Sequence, residues 1–413
     1  MAKVDTGDEL KQMASIALLK DEAGGLMQEL GITTISFYKG DSKRALDIIK
    51  AQLSKVVESN PWLCAHLDGK DMKFPAVPTS GDLDNICISQ KSPLTSKGSY
   101  VTICTEIYTH KLNVPDGYTL LKTKGPCTSL KILEMDDNEF AVVFSMSHVI
   151  ADGRTYYDVL NMLTPGADVV ALVSTRVDSF RENMRKLCGE KELVWADSPG
   201  AMAMYTFAMM PNMLGCRGVS CSGFYVDEEK NTAAKTAGAK EGGVAYVSTN
   251  DVLTSGFMTV TKSRIGMMGL DCRGKVSGIG QDFAGNYVSA LSLDDTTFGT
   301  PASLRKMLST TPYKPTTKPL PGFCRWMVGL DSASFSMVTN WSSFARNLMQ
   351  LTDCDLQVHL PVHNPAYCVY DLMVPFTPAP GKVGVICWTT KADEDALKTA
   401  MPLGDRISNE LFP

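Results

Sequence analysis

The hydrophobic pattern changes period along the chain, and each change marks an element. Ile32 to Tyr38 is a short run rich in β-branched and aromatic residues and predicts a strand. Behind it, Leu46, Ile49, Leu53 and Val56 recur at i, i+3, i+7 and i+10, one apolar stripe of a helix. Asp41 or Ser42 is placed to cap that helix. Asn60-Pro61 ends it, because proline disfavours helical backbone in the residue before it. Trp62 to Leu67 and Val101 to Tyr108 read as strands, the second inside a turn-rich stretch over 68–128. Leu130 to Met135 and Phe140 to Ser145 read as a hairpin around Asp136-Asp137-Asn138-Glu139. An apolar helix begins near Thr155 and closes at Pro165-Gly166.

Residues 166–222 have no sustained period and read as an irregular connection. The pattern resumes with a strand at Gly223 to Val226, a helix around Asp227 to Ala239, a strand at Ala245 to Val247 and a helix from Val252. Further strands are predicted at Tyr287 to Leu293, Phe335 to Asn340, Gln357 to Val362 and Val383 to Trp388, with a late helix at Asp393 to Ala400. Strands and helices mix throughout, so the class is α/β or α+β with two similar-sized halves. A length of 413 residues allows two or three domains. The expected division is an N-terminal domain over 1–175, a crossover linker over 176–222 and a C-terminal domain over 223–413.

Composition narrows the function. Hydrophobic residues make up 44% and charged residues 21%, ordinary globular usage that excludes disorder and a coiled coil. A net charge of -5 argues against nucleic acid as a partner. None of the 12 cysteines has CxxC spacing, so no zinc or thioredoxin-type motif is visible. Scattered in this way, and behind an N-terminus MAKVDTGDEL with no apolar signal region, they read as reduced core residues of a cytoplasmic protein. No run approaches the roughly 18 apolar residues of a membrane helix. The nearest, the Met-rich Ala201 to Leu214, is interrupted by Pro211 and reads as a buried packing segment; a pocket wall or a membrane-docking patch is the sharper alternative.

With only 5 histidines, each is open to inspection. His148 follows the apolar run Ala141-Val142-Val143-Phe144 and precedes Val149-Ile150-Ala151-Asp152-Gly153 and a helix. A loop at the end of a buried strand holds a side chain rigidly, and imidazole is suited to general-base work. Asp152 also fits a helix N-cap. His359 and His363 are four apart, but Pro361 between them forbids a helix, so they read as part of an edge strand and not a metal site. His66 and His110 have no partner pattern. Gly269 to Lys275 is a near miss of a phosphate-binding loop, with Val276 where a Ser or Thr is required. Neither G-x-S-x-G nor G-x-G-x-x-G after a strand occurs, which leaves hydrolase and Rossmann dehydrogenase readings without support.

The segment Ser147-His148-Val149-Ile150-Ala151-Asp152-Gly153, after a hairpin and before an apolar helix, resembles the H-x-x-x-D-G motif of CoA-dependent acyltransferases. These are the BAHD family, the chloramphenicol acetyltransferase superfamily and peptide-synthetase condensation domains. Other stretches fall in the family's order. Leu46 to Leu67 is similar to its early helix–Pro–strand pattern, and Val247-Ser248-Thr249-Asn250-Asp251 to its "vSTfe" helix entry. Asp271-Cys272-Arg273-Gly274 resembles "DgR", Phe283-Ala284-Gly285-Asn286 resembles "YFGN", and Thr339-Asn340-Trp341-Ser342 resembles "tSW". Asp353-Cys354-Asp355-Leu356 stands where "DFGW" is expected and keeps only Asp353. Ser147 replaces the first histidine of the condensation-type motif, as in BAHD-like members.

The resemblance implies two chloramphenicol-acetyltransferase-like domains, each a mixed sheet flanked by helices, with the active-site channel between them. It implies a monomer that binds no resident cofactor and no metal, takes acyl-CoA as co-substrate, and acylates a hydroxyl or amine of a small, apolar acceptor. His148 would be the general base and Trp341 the oxyanion donor. Asp152 with Arg273 would hold the loop, supported by Gly153 and Asn286, and Ser248 and Thr249 would contact the CoA arm. Three rivals stand beside this: condensation with a carrier-protein thioester, a non-catalytic small-molecule-binding homologue, and a lipid binder using the Met-rich segment.

Overall fold

The structure is a computed structural model that describes residues 12–29, 31–94, 98–135, 138–214, 218–320, 335–346, 348–390 and 392–413. In chain order the strands of the first half are β1 (Met13–Ala17), β2 (Gly31–Lys39), β3 (His66–Asp68), β4 (Asp71–Pro75), β5 (Cys87–Lys91), β6 (Thr128–Glu134) and β7 (Glu139–Ser147). Those of the second are β8 (Ser220–Val226), β9 (Ile265–Asp271), β10 (Val288–Asp294), β11 (Phe335–Val338), β12 (Asp355–Val362), β13 (Asp371–Ala379), β14 (Lys382–Thr389) and β15 (Leu403–Arg406). They form two large mixed sheets, β12-β2-β7-β6-β5 and β10-β9-β11-β13-β14-β8-β15, and a small one, β1-β4-β3.

The first large sheet is built from the predicted hairpin. β6 and β7 pair antiparallel from Thr128↔Met146 to Glu134↔Phe140; Asp136 and Asp137 of the predicted turn lie outside the described residues. The helix Ser42–Ser59 packs on this sheet with Ala45, Ile49, Gln52, Leu53, Val56 and Val57 buried, and Asp41 caps it by accepting from Lys43 and Arg44 N–H groups. β12 comes from late in the chain, yet it pairs antiparallel with β2, from Asp355↔Lys39 to Val362↔Thr33. The HLPVH run thus lies in an edge strand up to Val362, with His363 just past its end, and there Pro361 costs no ladder bond that a second neighbour needs.

Several local expectations fail for identifiable reasons. Val101 to Tyr108 lies in a helix, Tyr100–Thr109. Its β-branched content suggested a strand, but Tyr100, Ile103, Cys104 and Ile107 are buried at helical spacing and Ser99 caps the start. Pro61 opens a tight 3₁₀ turn, Pro61–Cys64, and the strand that follows is only His66–Asp68. Ala245 to Val247 is not a strand. The stretch expected to be irregular carries the helices Phe180–Cys188, Glu190–Ala196 and Pro199–Met213. The last is the Met-rich segment. It buries Ala201 and Met204, but Met202, Phe207, Met210 and Met213 face solvent, so the buried-packing expectation is corrected.

The ten described cysteines form no disulfide, and seven of them are buried. No described helix is long and apolar enough to cross a membrane. The contrast between sheet and Met-rich helix is measurable by urea unfolding. Phe144, fully buried against Tyr156, should cost about 3–5 kcal/mol when replaced by Ala. Met202→Gln, at a position 58% exposed, should change stability by no more than about 0.5 kcal/mol.

Candidate active site

β7 is buried along almost its whole length and stops at Ser147, which pairs with Gly31, the first residue of β2. His148 therefore leaves the sheet at the end of its central strand, in a short turn. Asp152 ends the turn as N-cap of the helix Gly153–Met162, its Oδ1 accepting from the Thr155 N–H at 2.9 Å. Its carboxylate does much more than cap. Arg273, two residues beyond β9, donates from Nη1 to Asp152 Oδ2 at 2.8 Å and from Nη2 to Oδ1 at 3.1 Å. The remaining guanidinium bonds go to Asp271 Oδ1 (3.0 Å), Thr155 Oγ1 (2.8 Å), Gly285 O (3.0 Å) and Phe283 O (2.7 Å). Asp152 Oδ2 also accepts from the Tyr287 N–H at 3.0 Å. Burial alone would raise the Asp152 carboxyl. The Arg273 charge and these donors outweigh that and hold it below its ordinary value of 3.8.

A second buried network orients the histidine. Asn286 Nδ2 donates to His148 O at 2.7 Å and to Glu22 Oε1 at 3.0 Å, and its backbone N–H reaches the same Glu22 oxygen at 3.0 Å. Those acceptors settle which end of the amide is nitrogen. Asn286 Oδ1, 2.9 Å from His148 Nδ1, must then accept, so Nδ1 carries the hydrogen. In the neutral ring this tautomer leaves the lone pair on the other nitrogen, Nε2. Glu22 is fully buried and is itself held by Arg176 Nε at 2.8 Å and the Leu19 N–H at 2.9 Å. Gly285 before Asn286 has φ +132, and a Cβ there would meet the Arg176 guanidinium at 2.8 Å, so only glycine fits.

His148 lines a cavity of about 290 Å³ between the two large sheets. One side comes from β2, β12 and the His148 turn; the other comes from β9, β10, β11 and β13. The surface is mostly apolar, with Ile32, Tyr108, Trp341, Phe344, Tyr370 and Leu372 among its walls. Gly153 lines it too, and a Cβ there would project toward Trp341 at 3.5 Å. The Trp341 indole N–H donates to Thr339 Oγ1 at 3.1 Å, both residues lining the cavity. Ser248 and Thr249 are elsewhere engaged and line none of it. Ser248 Oγ caps the helix Thr249–Val260 and accepts from Arg305 at 3.0 Å; Thr249 Oγ1 accepts from Asn231 at 2.9 Å. Residues 353–356 also stay outside the cavity.

The fold has solved counterparts. TRI101 from F. sporotrichioides, complexed with coenzyme A and T-2, matches with a TM-score of 0.59 and 12% identity over 96% of this chain and 100% of that one. Vinorine synthase matches with a TM-score of 0.55 and 14% identity over 95% and 97%. The first condensation domain of the calcium-dependent antibiotic synthetase matches at 0.52 and 11% over 94% of each. This chain has the chloramphenicol-acetyltransferase-like fold. No protein-family model matches the sequence, and no curated protein matches it.

Three groups near the cavity were not among the expected site residues. Glu22 reaches Asn286 across 264 residues of chain, and Arg176 holds Glu22 from 154 residues away. His363 also lines the cavity, stacked on Trp341 with ring centroids 5.5 Å apart. Burial pushes its imidazole down to about 4, and its Nδ1 is buried with no hydrogen-bond partner among the described residues. His359, four residues earlier, is buried and fully bonded, to Ser36 Oγ at 2.8 Å and Tyr157 O–H at 3.1 Å.

Arg273→Ala strands a buried carboxylate and should lower stability by about 3–5 kcal/mol at pH 7 in urea unfolding. The pH dependence has a definite sign. Folded Asp152 titrates below 3.8, so the pair's contribution is complete above roughly pH 4 and is lost as pH falls through the depressed value. The variant should lack that acid limb. Asn286→Leu should release the His148 ring; ¹⁵N NMR of labelled histidine should show the Nδ1–H form in the parent chain and a tautomer mixture in the variant.

Proposed function

We propose that the protein is an acyltransferase that moves an acyl group from acyl-CoA to a hydroxyl or amine of a small neutral acceptor. One observation carries the reading: His148, in its Nδ1–H form, faces a mostly apolar cavity between two sheets of a fold whose solved members include CoA complexes. The chemistry needs a base at one point and hydrogen-bond donors at another. Nε2 of His148 takes the proton of the acceptor as its oxygen or nitrogen attacks the thioester carbonyl. The tetrahedral intermediate then expels the CoA thiolate, and the imidazolium returns the proton to sulfur. No acyl-enzyme is required.

The oxyanion falls to the Trp341–Thr339 pair. The indole N–H donates to the threonine oxygen, which leaves the threonine hydrogen to donate into the cavity. Asp152 and Arg273 touch no substrate; they hold the turn. Gly153 keeps the side of the cavity next to Trp341 open. With Ser248 and Thr249 occupied as a cap and a helix contact, a CoA arm passing near them would meet the surface of that helix entry and not the cavity wall. The division into 1–175, 176–222 and 223–413 remains our working one, with β12 crossing to the first sheet.

The decisive assay measures thiol release from acetyl-CoA and longer acyl-CoAs with pooled alcohols and amines. His148→Ala should lower kcat by about 10²–10⁴-fold, with a melting temperature within a few degrees of the parent. An equally active variant overturns the mechanism. Turnover only with a carrier-protein thioester would instead establish the condensation reading.

A further inference from the structure

We infer that His363 anchors a second polar group of the acceptor, so that the acceptor is a neutral diol or amino alcohol on an apolar body. The inference rests on the acyl-transfer reading and extends it to the substrate class. Strand register supplies the geometry. Ile32 in β2 pairs with Met146 of β7, and Thr33 pairs with Val362 of β12. Directly paired residues share a sheet face, and the face repeats every second residue. His148 is two residues past Met146, and His363 is the residue after Val362, the last of β12. His148, in the turn just past β7, and His363, just past the end of β12, therefore lie at the same end of the sheet on either side of β2, and both line the cavity. Two strand spacings set their backbones on the order of 10 Å apart. Ile32, between them, lines the cavity with both.

The chemistry of His363 is that of an unused site. Its ring lies on Trp341, which fixes the plane of the imidazole. Its Nδ1 is buried and lacks a partner among the described residues, an arrangement that disfavours the empty cavity and rewards a ligand group that bonds there. His359, four residues earlier in β12, shows the contrast: both its nitrogens are bonded by the protein. The acceptor's neutrality follows from the charges. Among the described lining residues, Asp152 and Asp271 are paired with Arg273, and Arg154 with Asp158 at 2.8 Å, so no lining charge awaits an ionic partner. The apolar body follows from the aromatic and aliphatic walls between the two histidines.

The test uses the full chain, acetyl-CoA and two acceptor pairs: 1,4-benzenedimethanol against benzyl alcohol, and 1,4-cyclohexanediol against cyclohexanol. The parent protein should prefer each diol by roughly tenfold or more in kcat/KM, beyond the statistical factor of two. His363→Phe keeps the stacking on Trp341 but has no ring nitrogen, and its preference should collapse to the statistical factor. His363→Asn places an amide where Nδ1 stands and should retain most of the preference. His363→Phe should melt no lower than the parent, since the lost nitrogen bonded nothing; a structural histidine would give a lower value. Transfer without diol preference in the parent, or preference surviving His363→Phe, overturns the inference alone. A changed acyl-chain-length profile in His363→Phe, with diol preference intact, also overturns it by assigning His363 to the donor. Absence of thiol release with every acceptor overturns the transfer reading and this inference together.

Discussion

Two opposite charges removed from water, Asp152 and Arg273, hold the part of the chain on which everything else at the site depends. Separately, each would be among the most costly groups to bury. Together they persist because their hydrogen-bonding capacity is used. The guanidinium meets two carboxylates, one hydroxyl and two backbone carbonyls; the Asp152 carboxylate meets the guanidinium and two backbone N–H groups. These partners belong to the His148 turn, the end of β9 and the segment 283–287. One bidentate contact thus ties three pieces of backbone from both large sheets.

Around that fixed point the labour is divided. Charges serve as structure and are turned on one another, which leaves the cavity surface mostly neutral. Other polar side chains line the cavity: His148, His363, Thr339 and the Trp341 indole. Glu22 and Arg176 form a second buried ion pair, and its effect on chemistry is indirect. By occupying the Asn286 amide nitrogen, Glu22 turns the amide oxygen toward His148 and selects the tautomer with a lone pair at Nε2. Deep ion pairs here orient hydrogen-bonding groups, and those groups line the cavity.

Much of this architecture was legible in the chain where signals are local. The Ser42–Ser59 helix with its Asp41 cap, the β6–β7 hairpin and the Asp152-capped helix all follow from spacing and capping chemistry within a few residues. The Tyr100–Thr109 helix was misread because β-branched side chains outweighed a correct helical stripe of four apolar positions. The Met-rich helix was misread for a different reason. Hydrophobic composition states a tendency to be buried, but neighbouring elements decide whether anything covers the surface.

The sequence by itself determined the strand, turn, Asp-Gly and helix around His148, and motif order singled out Asp152, Arg273, Asn286 and Trp341. Those features are short-range or are carried by motif patterns. What it could not determine was the set of contacts made by residues distant in the chain. Glu22 on Asn286, His363 on Trp341, β12 beside β2 and the Trp341 N–H on Thr339 arise only when sheets close on one another. Ser248 and Thr249 make the same point from the other side: a motif located them, and the packed structure turned their hydroxyls to a cap and a helix neighbour. Periodicity records which face of an element is buried; which atoms meet there is set by strand register and by the order of strands across the sheet, neither of which is written in any local window.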